Sequence, residues 1–304
     1  MELLGSFWAQ HWIRAIMLLG AIAFVAGFVD SIAGGGGLFL VPGFLLVGLP
    51  PQVALGQEKL VSTLGTLAAI RNFFANSKMV WKVALVGVPF ALLGAYMGAH
   101  LIVSISPETV GKIILALIPL GILIFLTPKD RPVQEHTLSN RMLFTVVSPS
   151  YLRKLLPLVL LAVLIYTVLK KELGRSHAPT YSGRQEAWVA ASIGALIGFY
   201  DGFFGPGTGS MFIIAFHYLL KMDLVSSSAN SKSFNFASNI GALVAFVVAG
   251  KVVYLLALPL VACNILGNHI GSALAIRKGN DVVRKVLVLS MLCLFASLGV
   301  KYLA

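Results

Sequence analysis

Two pairs of ionisable residues recur at matching places in stretches that are otherwise apolar. The acids are Asp30 and Asp201, and the bases are Lys59 and Lys232. An ionisable side chain inside an apolar span is costly, so it indicates a functional role and a specific partner. Each acid could form an ion pair with a lysine of its own or the opposite half, cap exposed backbone N–H groups, or carry a proton.

A glycine-rich break follows each acid at a distance of about four residues. Such a break at membrane depth is tolerated where it is buried in protein or lines water. The helix that starts after each break would turn its N-terminus inward, with free N–H donors suited to an anion. The alternative is close helix packing through small residues. The residues expected at the anion site are Gly34, Gly35, Gly36 and Gly37 in the first break and Gly205, Gly207, Thr208 and Gly209 in the second.

A polar stripe accompanies each lysine at helical spacing. Because residues three, four and seven apart share a helix face, these side chains are expected to line a cavity or contact a partner. In the alternative, the lysines lie near helix ends and extend to the lipid headgroups. The predicted substrate-binding side chains are Gln57, Lys59, Ser62, Thr63 and Thr66 in the first stripe and Asn230, Lys232, Asn235 and Asn239 in the second.

The chain contains an internal repeat. Residues 27–34 are echoed by residues 198–205, an offset of 171, and beyond the breaks the offset becomes 173, so that Lys59 matches Lys232. Two homologous halves with broken helices at matching places are typical of secondary transporters, whose sites lie between the repeats. We divide the chain into a first transmembrane repeat (1–126), a basic polar connection with an extra apolar helix at 155–169 (127–186), and a second transmembrane repeat (187–304).

The apolar runs predict a polytopic, all-α membrane protein. A transmembrane helix needs about 20 mostly apolar residues, and the two runs that follow the breaks are too short to cross alone. We expect these two to be re-entrant and the repeats to be inverted, unless 155–169 crosses the membrane, in which case the repeats are parallel. The predicted runs are 12–32, 38–49, 53–72, 80–103, 110–126, 155–169, 187–204, 210–220, 225–249, 252–276 and 282–303.

The composition excludes several classes of protein. Of the 304 residues, 58% are hydrophobic and 11% are charged, with a formal net charge of +12 and a mean hydropathy of +0.90. A soluble domain carries roughly 25% charged residues, so a water-soluble enzyme, a nucleic-acid-binding protein and a disordered chain are excluded. There is no nucleophile–base set, no phosphate-binding loop and no metal-ligand spacing, so we expect no enzyme activity, no cofactor and no metal.

The two break motifs, with Lys232-Ser233-Phe234-Asn235-Phe236-Ala237-Ser238-Asn239 and Gly250-Lys251-Val252, resemble the sulfite exporter TauE/SafE family of membrane permeases, in the 4-toluene sulfonate uptake permease superfamily. The resemblance extends over nearly the whole chain. It implies a permease of the inner (plasma) membrane that exports small sulfur-containing anions, with possible dependence on a proton gradient. The polar insert before the second half departs from the family pattern.

Together these features predict a secondary transporter of small sulfur-containing oxyanions that works by alternating access. The alternative is an anion channel with the same central constriction. The expected partners are a small anionic substrate and the lipid bilayer, with no nucleic acid, and the protein would be a monomer or a homodimer. Because basic loops stay in the cytoplasm, the connection at 127–154 is expected on that side.

Overall fold

The computed structural model describes residues 6–76, 78–106, 108–110, 183–287 and 289, with side chains from residue 13 onward. The predicted runs at 110–126 and 155–169 lie outside these residues, apart from Val110, and so does most of 282–303. In chain order the helices are α1 (Ser6–Ala33), α2 (Gly37–Leu46), α3 (Pro51–Ala75), α4 (Trp81–Val103), α5 (Arg184–Phe203), α6 (Thr208–Leu219), α7 (Leu224–Val248) and α8 (Tyr254–Lys278). After a turn at Gly279, residues 280–287 are again helical.

Local sequence signals set several of these helix ends. Pro51 occupies the first turn of α3, where its missing N–H has no helical partner to lose. Asp223 caps α7 by accepting the N–H groups of Val225 and Ser226. The helices α1 and α5 each end at a glycine break, which gives the boundaries that the sequence predicts to within a few residues.

The described helices have the length and surface of a membrane protein. Three of them are long and apolar enough to span a bilayer: Ile13–Ala33, Trp81–Val103 and Tyr254–Lys278. Large apolar side chains such as Leu85, Leu255 and Val248 are more than two thirds exposed on the outer surface, where lipid can cover them. The predicted all-α membrane fold is confirmed.

The helices α1 and α8 run parallel and pack closely through glycine. A Cβ built on Gly267 would lie 2.1 Å from the backbone oxygen of Phe24, and one on Gly271 would lie 2.4 Å from that of Phe28. The residue numbers of the contacting positions therefore increase together along both helices, which shows that the helices are parallel. Such close backbone contact between small residues is the usual means of helix association in membranes.

The helices α4 and α5 form the equivalent pair in the repeat. A Cβ on Gly94 would lie 2.4 Å from the backbone oxygen of Ala195, and one on Gly98 would lie 2.1 Å from that of Phe199. This pair is also parallel. In the repeat, α1 corresponds to α5 and α4 corresponds to α8, so each close pair joins one helix from each half.

The central helices α3 and α7 run in opposite directions. The start of α3 contacts the end of α7, since a Cβ on Gly56 would lie 3.1 Å from Phe246 Cβ. At the other end, Phe73 of α3 packs in one apolar cluster with Leu224 of α7. Because α3 and α7 are equivalent in the repeat, the two halves have inverted topology, as predicted.

The short helices α2 and α6 turn back along the helices that precede them. Gly36 lies near Ala26 and Asp30 of α1, whereas Gly43 lies near Ile22. In the second half, Phe212 and Phe216 of α6 pack in one cluster with Ile193 of α5, an earlier part of that helix. Both short segments are therefore re-entrant hairpins, and their tips point to the centre of the protein.

The close α4–α5 contact makes a stability prediction. Gly94→Ala places a methyl group against the Ala195 carbonyl and should destabilise the protein by about 1–3 kcal/mol, as overpacking does. The matched control is Gly20→Ala, also buried within a helix, whose Cβ would lie 3.4 Å from Cys263 Sγ in ordinary contact. The measurement is the apparent melting temperature of each variant in detergent. Equal melting temperatures for the two variants would contradict this packing.

Candidate functional site

The two glycine breaks contact each other where the halves meet. A Cβ built on Gly34 would lie 2.1 Å from the carbonyl carbon of Gly209. Ser210 Oγ donates a hydrogen bond of 2.8 Å to the backbone oxygen of Ala33. Gly34 also has a φ of +76°, in the left-handed region that glycine adopts without strain. A side chain at this position would therefore be excluded both by space and by backbone conformation.

Lys59 forms the first ion-pair cluster. Its Nζ lies 2.7 Å from Asp201 Oδ1 and 3.2 Å from Glu58 Oε2, and it donates to Asn239 Oδ1 at 3.0 Å. The other oxygen of Asp201 accepts a hydrogen bond of 2.6 Å from Ser238 Oγ. Lys59 is 1% exposed, so it does not extend to the lipid headgroups.

Lys232 forms the second cluster. Its Nζ lies 3.0 Å from Asp30 Oδ2 and also donates to the backbone oxygen of Asp30. The other carboxylate oxygen, Oδ1, accepts the N–H of Gly36 at 3.1 Å, just before α2 begins. Asp30 therefore forms an ion pair and satisfies a donor at the N-terminus of α2, two of the roles that the sequence leaves open.

The ion pairs are crosswise between the halves. Lys59 of the first half binds Asp201 of the second, and Lys232 of the second half binds Asp30 of the first. The pseudo-symmetry fails at Glu58, because Ser231 occupies its matching position in the second half. The buried clusters thus contain two basic and three acidic side chains, with one negative charge in excess when all are ionised.

Charged side chains lie against the starts of both re-entrant helices. A Cβ on Gly37 would lie 3.3 Å from Glu58 Oε1, and one on Gly209 would lie 3.4 Å from Asp30 Oδ1. The carboxylates thus occupy the places beside the helix N-termini where the sequence predicts an anion, which fits the positive end of a helix dipole. The protein's own acids take these places in this conformation.

The other predicted polar residues lie near these clusters in several ways. Ser62 donates to Glu58 Oε1 at 2.9 Å, and Thr63 donates to the backbone oxygen of Lys59 at 2.6 Å. Thr66 is fully buried, and its hydroxyl has no hydrogen-bond partner among the described residues. Thr208 bonds to the Gly205 backbone, and Asn235 is buried on α7 beside Ser238.

Gln57 and Asn230 lie at the loops rather than at the lysines. Gln57 forms two hydrogen bonds of 3.0 Å with the backbone of Val253, at the start of α8. Asn230 accepts the backbone N–H of Val80, at the start of α4, at 3.2 Å. These hydrogen bonds hold the start of a helix in the opposite half, so the structure places Gln57 and Asn230 at helix starts rather than at the charged clusters.

Two residues of the clusters are absent from the predicted site. Glu58 adjoins Lys59 in the sequence, and its presence in a buried span is a signal that can identify it. Ser238 has no such signal, because a serine in an apolar helix is common. Its role depends on the inverted packing that brings Asp201 within 2.6 Å.

Inverted repeats with two broken helices that meet at a buried charged centre are an architecture of membrane transporters. The relatives agree with this class. A probable membrane transporter protein of Sinorhizobium sp., ORF9, is 31% identical over 92% of this chain and 90% of its own length. Another from Haemophilus influenzae is 29% identical over 91% of both chains, and YfcA of Escherichia coli K12 is 30% identical over 90% of this chain and 86% of its own length.

The family model described as sulfite exporter TauE/SafE matches residues 19–144 and again residues 141–298. The chain belongs to this family, which is a family of membrane transporters rather than enzymes. Two successive matches agree with two related halves. No solved structure shows a significant match to the chain.

The crosswise ion pairs make a prediction about stability. Asp30→Asn keeps an oxygen that can accept the Gly36 N–H but leaves Lys232 buried without its carboxylate, which should destabilise the protein by about 3–5 kcal/mol. Asp201→Asn should destabilise it less, because Glu58 remains 3.2 Å from Lys59. The double variant Asp30→Asn/Lys232→Met should recover most of the lost stability. The measurement is thermal unfolding in detergent, and equal losses for the two single variants would contradict the charge assignment.

Proposed function

We propose that this protein is a secondary transporter that exports small sulfur-containing oxyanions, such as sulfite or organosulfonates. The observation that carries the proposal is the burial of two lysines beside two meeting helix breaks, at the interface of inverted repeats. Secondary transporters bind substrate at such interfaces. The family's description names sulfite as the transported ion, and that description favours a sulfur oxyanion among the possible anions.

The anion would replace the carboxylates that now lie at the helix N-termini. An oxyanion that leaves water needs charged hydrogen-bond donors in compensation. Lys59 and Lys232 supply these when they separate from Asp201 and Asp30. The hydroxyl and amide groups of the two polar stripes would then set selectivity by binding the remaining oxygens; these groups are those of Ser62, Thr63, Thr66, Asn235 and Asn239.

Rearrangement of the crosswise pairs gives a route to alternating access. Each pair joins the two halves in the described conformation, so rocking of one half against the other must lengthen or exchange these contacts. A bound anion stabilises whichever arrangement offers it both lysines. We place the protein in the inner membrane, with the basic connection at 127–154 in the cytoplasm.

The test combines binding and transport by purified protein. Sulfite, sulfate, thiosulfate, taurine and sulfoacetate are screened for an increase in melting temperature; a ligand at about 100 times its Kd stabilises by about 2.7 kcal/mol. Any ligand found is then loaded into liposomes for counterflow against labelled ligand. We expect sulfite or a sulfonate to shift the melting temperature and to show counterflow, which a channel does not.

Two variants test whether the ligand binds at the buried lysines. The charge-balanced Asp30→Asn/Lys232→Met should fold but show no ligand-induced shift and no counterflow. The control Lys78→Met removes an exposed lysine outside the clusters and should behave like the wild type. Unchanged sulfite affinity in the double variant would refute the role of the lysines, and flux that follows the membrane potential without counterflow would indicate a channel.

A further inference from the structure

Polar side chains line one interhelical seam, and the outer part of this line has no polar counterpart in the repeat. We use "the α3–α8 seam" for the line formed by Glu58, Ser62, Thr66 and Asn72 of α3 and Asn264, Asn268 and Ser272 of α8. The positions that match the outer part of this seam in the other half are apolar. They are Ala245 of α7, in place of Asn72, and Ala91, Ala95 and Ala99 of α4, in place of Asn264, Asn268 and Ser272.

Hydrogen bonds join the residues of the outer seam, in part through the backbone of Asn268. Asn72 Nδ2 donates to Ser272 Oγ at 2.8 Å, and Ser272 Oγ donates to the backbone oxygen of Asn268 at 2.6 Å. Asn268 Nδ2 donates to Asn264 Oδ1 at 2.9 Å. Asn264 lies against Gly65, since a Cβ there would be 1.8 Å from its Oδ1. Glycine at this position thus leaves room for the amide beside α3.

The inner seam contains buried polar atoms without hydrogen-bond partners. These atoms are Asn268 Oδ1, Thr66 Oγ1 and Glu58 Oε2; the last has only the ion-pair contact with Lys59. Few buried polar groups in proteins lack a partner, and those that lack a protein partner usually bind ordered water. Because Glu58 Oε2 already contacts the Lys59 ammonium, the two seam atoms that call for water are Asn268 Oδ1 and Thr66 Oγ1.

The outer end of the seam reaches the protein surface. Asn72 Nδ2 also donates to the backbone oxygen of His269, and the His269 side chain is exposed. The helices α3 and α8 run parallel, so this end is the one at which α8 finishes with the exposed residues Arg277 and Lys278. Basic residues at helix ends favour the cytoplasmic side.

Glu58, the acid that gives the clusters their excess negative charge, lies at the inner end of the seam. The charged side chains that face Glu58 are Lys59 on its own helix and, through that lysine, Asp201 of α5. α2 presents its N-terminus at Gly37, α7 presents the neutral Asn239 to Lys59, and Ser62 donates to the other carboxylate oxygen. Glu58 is thus the one acid of the clusters that accepts a hydrogen bond from a hydroxyl of the seam, that of Ser62.

We propose that Glu58 is a proton-binding site that exchanges protons with the cytoplasm along the α3–α8 seam. A proton enters from water at the outer end of the seam and reaches Ser62 by way of water at Asn268 and Thr66. The Ser62 hydroxyl passes its proton to Glu58 Oε1, where an O–H bond forms, and takes a proton from the water behind it, so that each O–H bond broken along the line is replaced. The five charged side chains then sum to zero instead of one negative charge. Given the proposed function, proton binding favours entry of an anion, and by linkage the anion favours the proton.

The primary test needs no substrate. Infrared difference spectra of the full-length protein in liposomes, recorded between alkaline and acidic pH, should show the C=O stretch of a protonated carboxyl group. Glu58→Gln should abolish this band, whereas Glu108→Gln, which changes an exposed acid, should keep it. Ser231→Ala, at the matching position of the other half, should also keep the band.

The rate of protonation tests the route. After a rapid pH jump, Asn268→Ala/Ser272→Ala, which gives the seam the alanines of its counterpart, should retain the band but slow its appearance several-fold. If Glu58→Gln fails to fold, Glu58→Asp should shift the band in frequency.

A band that persists in Glu58→Gln, that is absent from the wild type, or that responds to sodium instead of pH would overturn the proposal. An unchanged rate in the seam variant would overturn the route. If the band behaves as expected but neither sulfite nor a sulfonate binds, the proton site stands and the proposed substrate is wrong.

Discussion

Charge burial is the constraint on which this structure depends. Five charged side chains lie in the middle of a protein whose surroundings are lipid, where an unpaired charge would cost several kcal/mol. Each lysine finds its main carboxylate in the other half of the chain, so the ion pairs are also the contacts that join the repeats. The glycine breaks serve the same requirement. They let the backbone turn within the membrane and bring helix N-termini to the carboxylates of Asp30 and Glu58.

The number of charges in the clusters also constrains the energetics of transport. With Glu58 ionised, the clusters are already negative, so an incoming anion is repelled; with Glu58 protonated they are neutral. A transporter that binds proton and anion together moves both in the same direction. In such a protein, the charges of the proton and of a monovalent anion cancel, so net export requires the outward concentration gradient of the anion to exceed the inward concentration gradient of the proton, and uptake follows when it does not.

Much of this arrangement could be predicted from the sequence, and the reasons for success and failure are physical. Asp30, Asp201, Lys59 and Lys232 are identifiable because ionisable groups are rare in apolar spans, and their spacing gave the repeat. Crosswise pairing could not be predicted, because it depends on the relative orientation of the halves, which loop charge indicates only weakly. Gln57 and Asn230 have the side chains of a binding site, yet they hydrogen-bond to the loops before α8 and α4. Sequence spacing places them on a helix but does not give the packing around them.

The crosswise pairing has a consequence for biosynthesis. Asp30 meets its lysine only after a further 202 residues have been added to the chain, so the first half enters the bilayer before its counter-ion exists. Until then, this carboxylate must stay hydrated, protonated or shielded by the insertion machinery. Lys59, by contrast, has Glu58 as its immediate neighbour from the start. Glu58, the acid without a counterpart in the second half, is thus also the first counter-ion available to Lys59 while the chain is being synthesised.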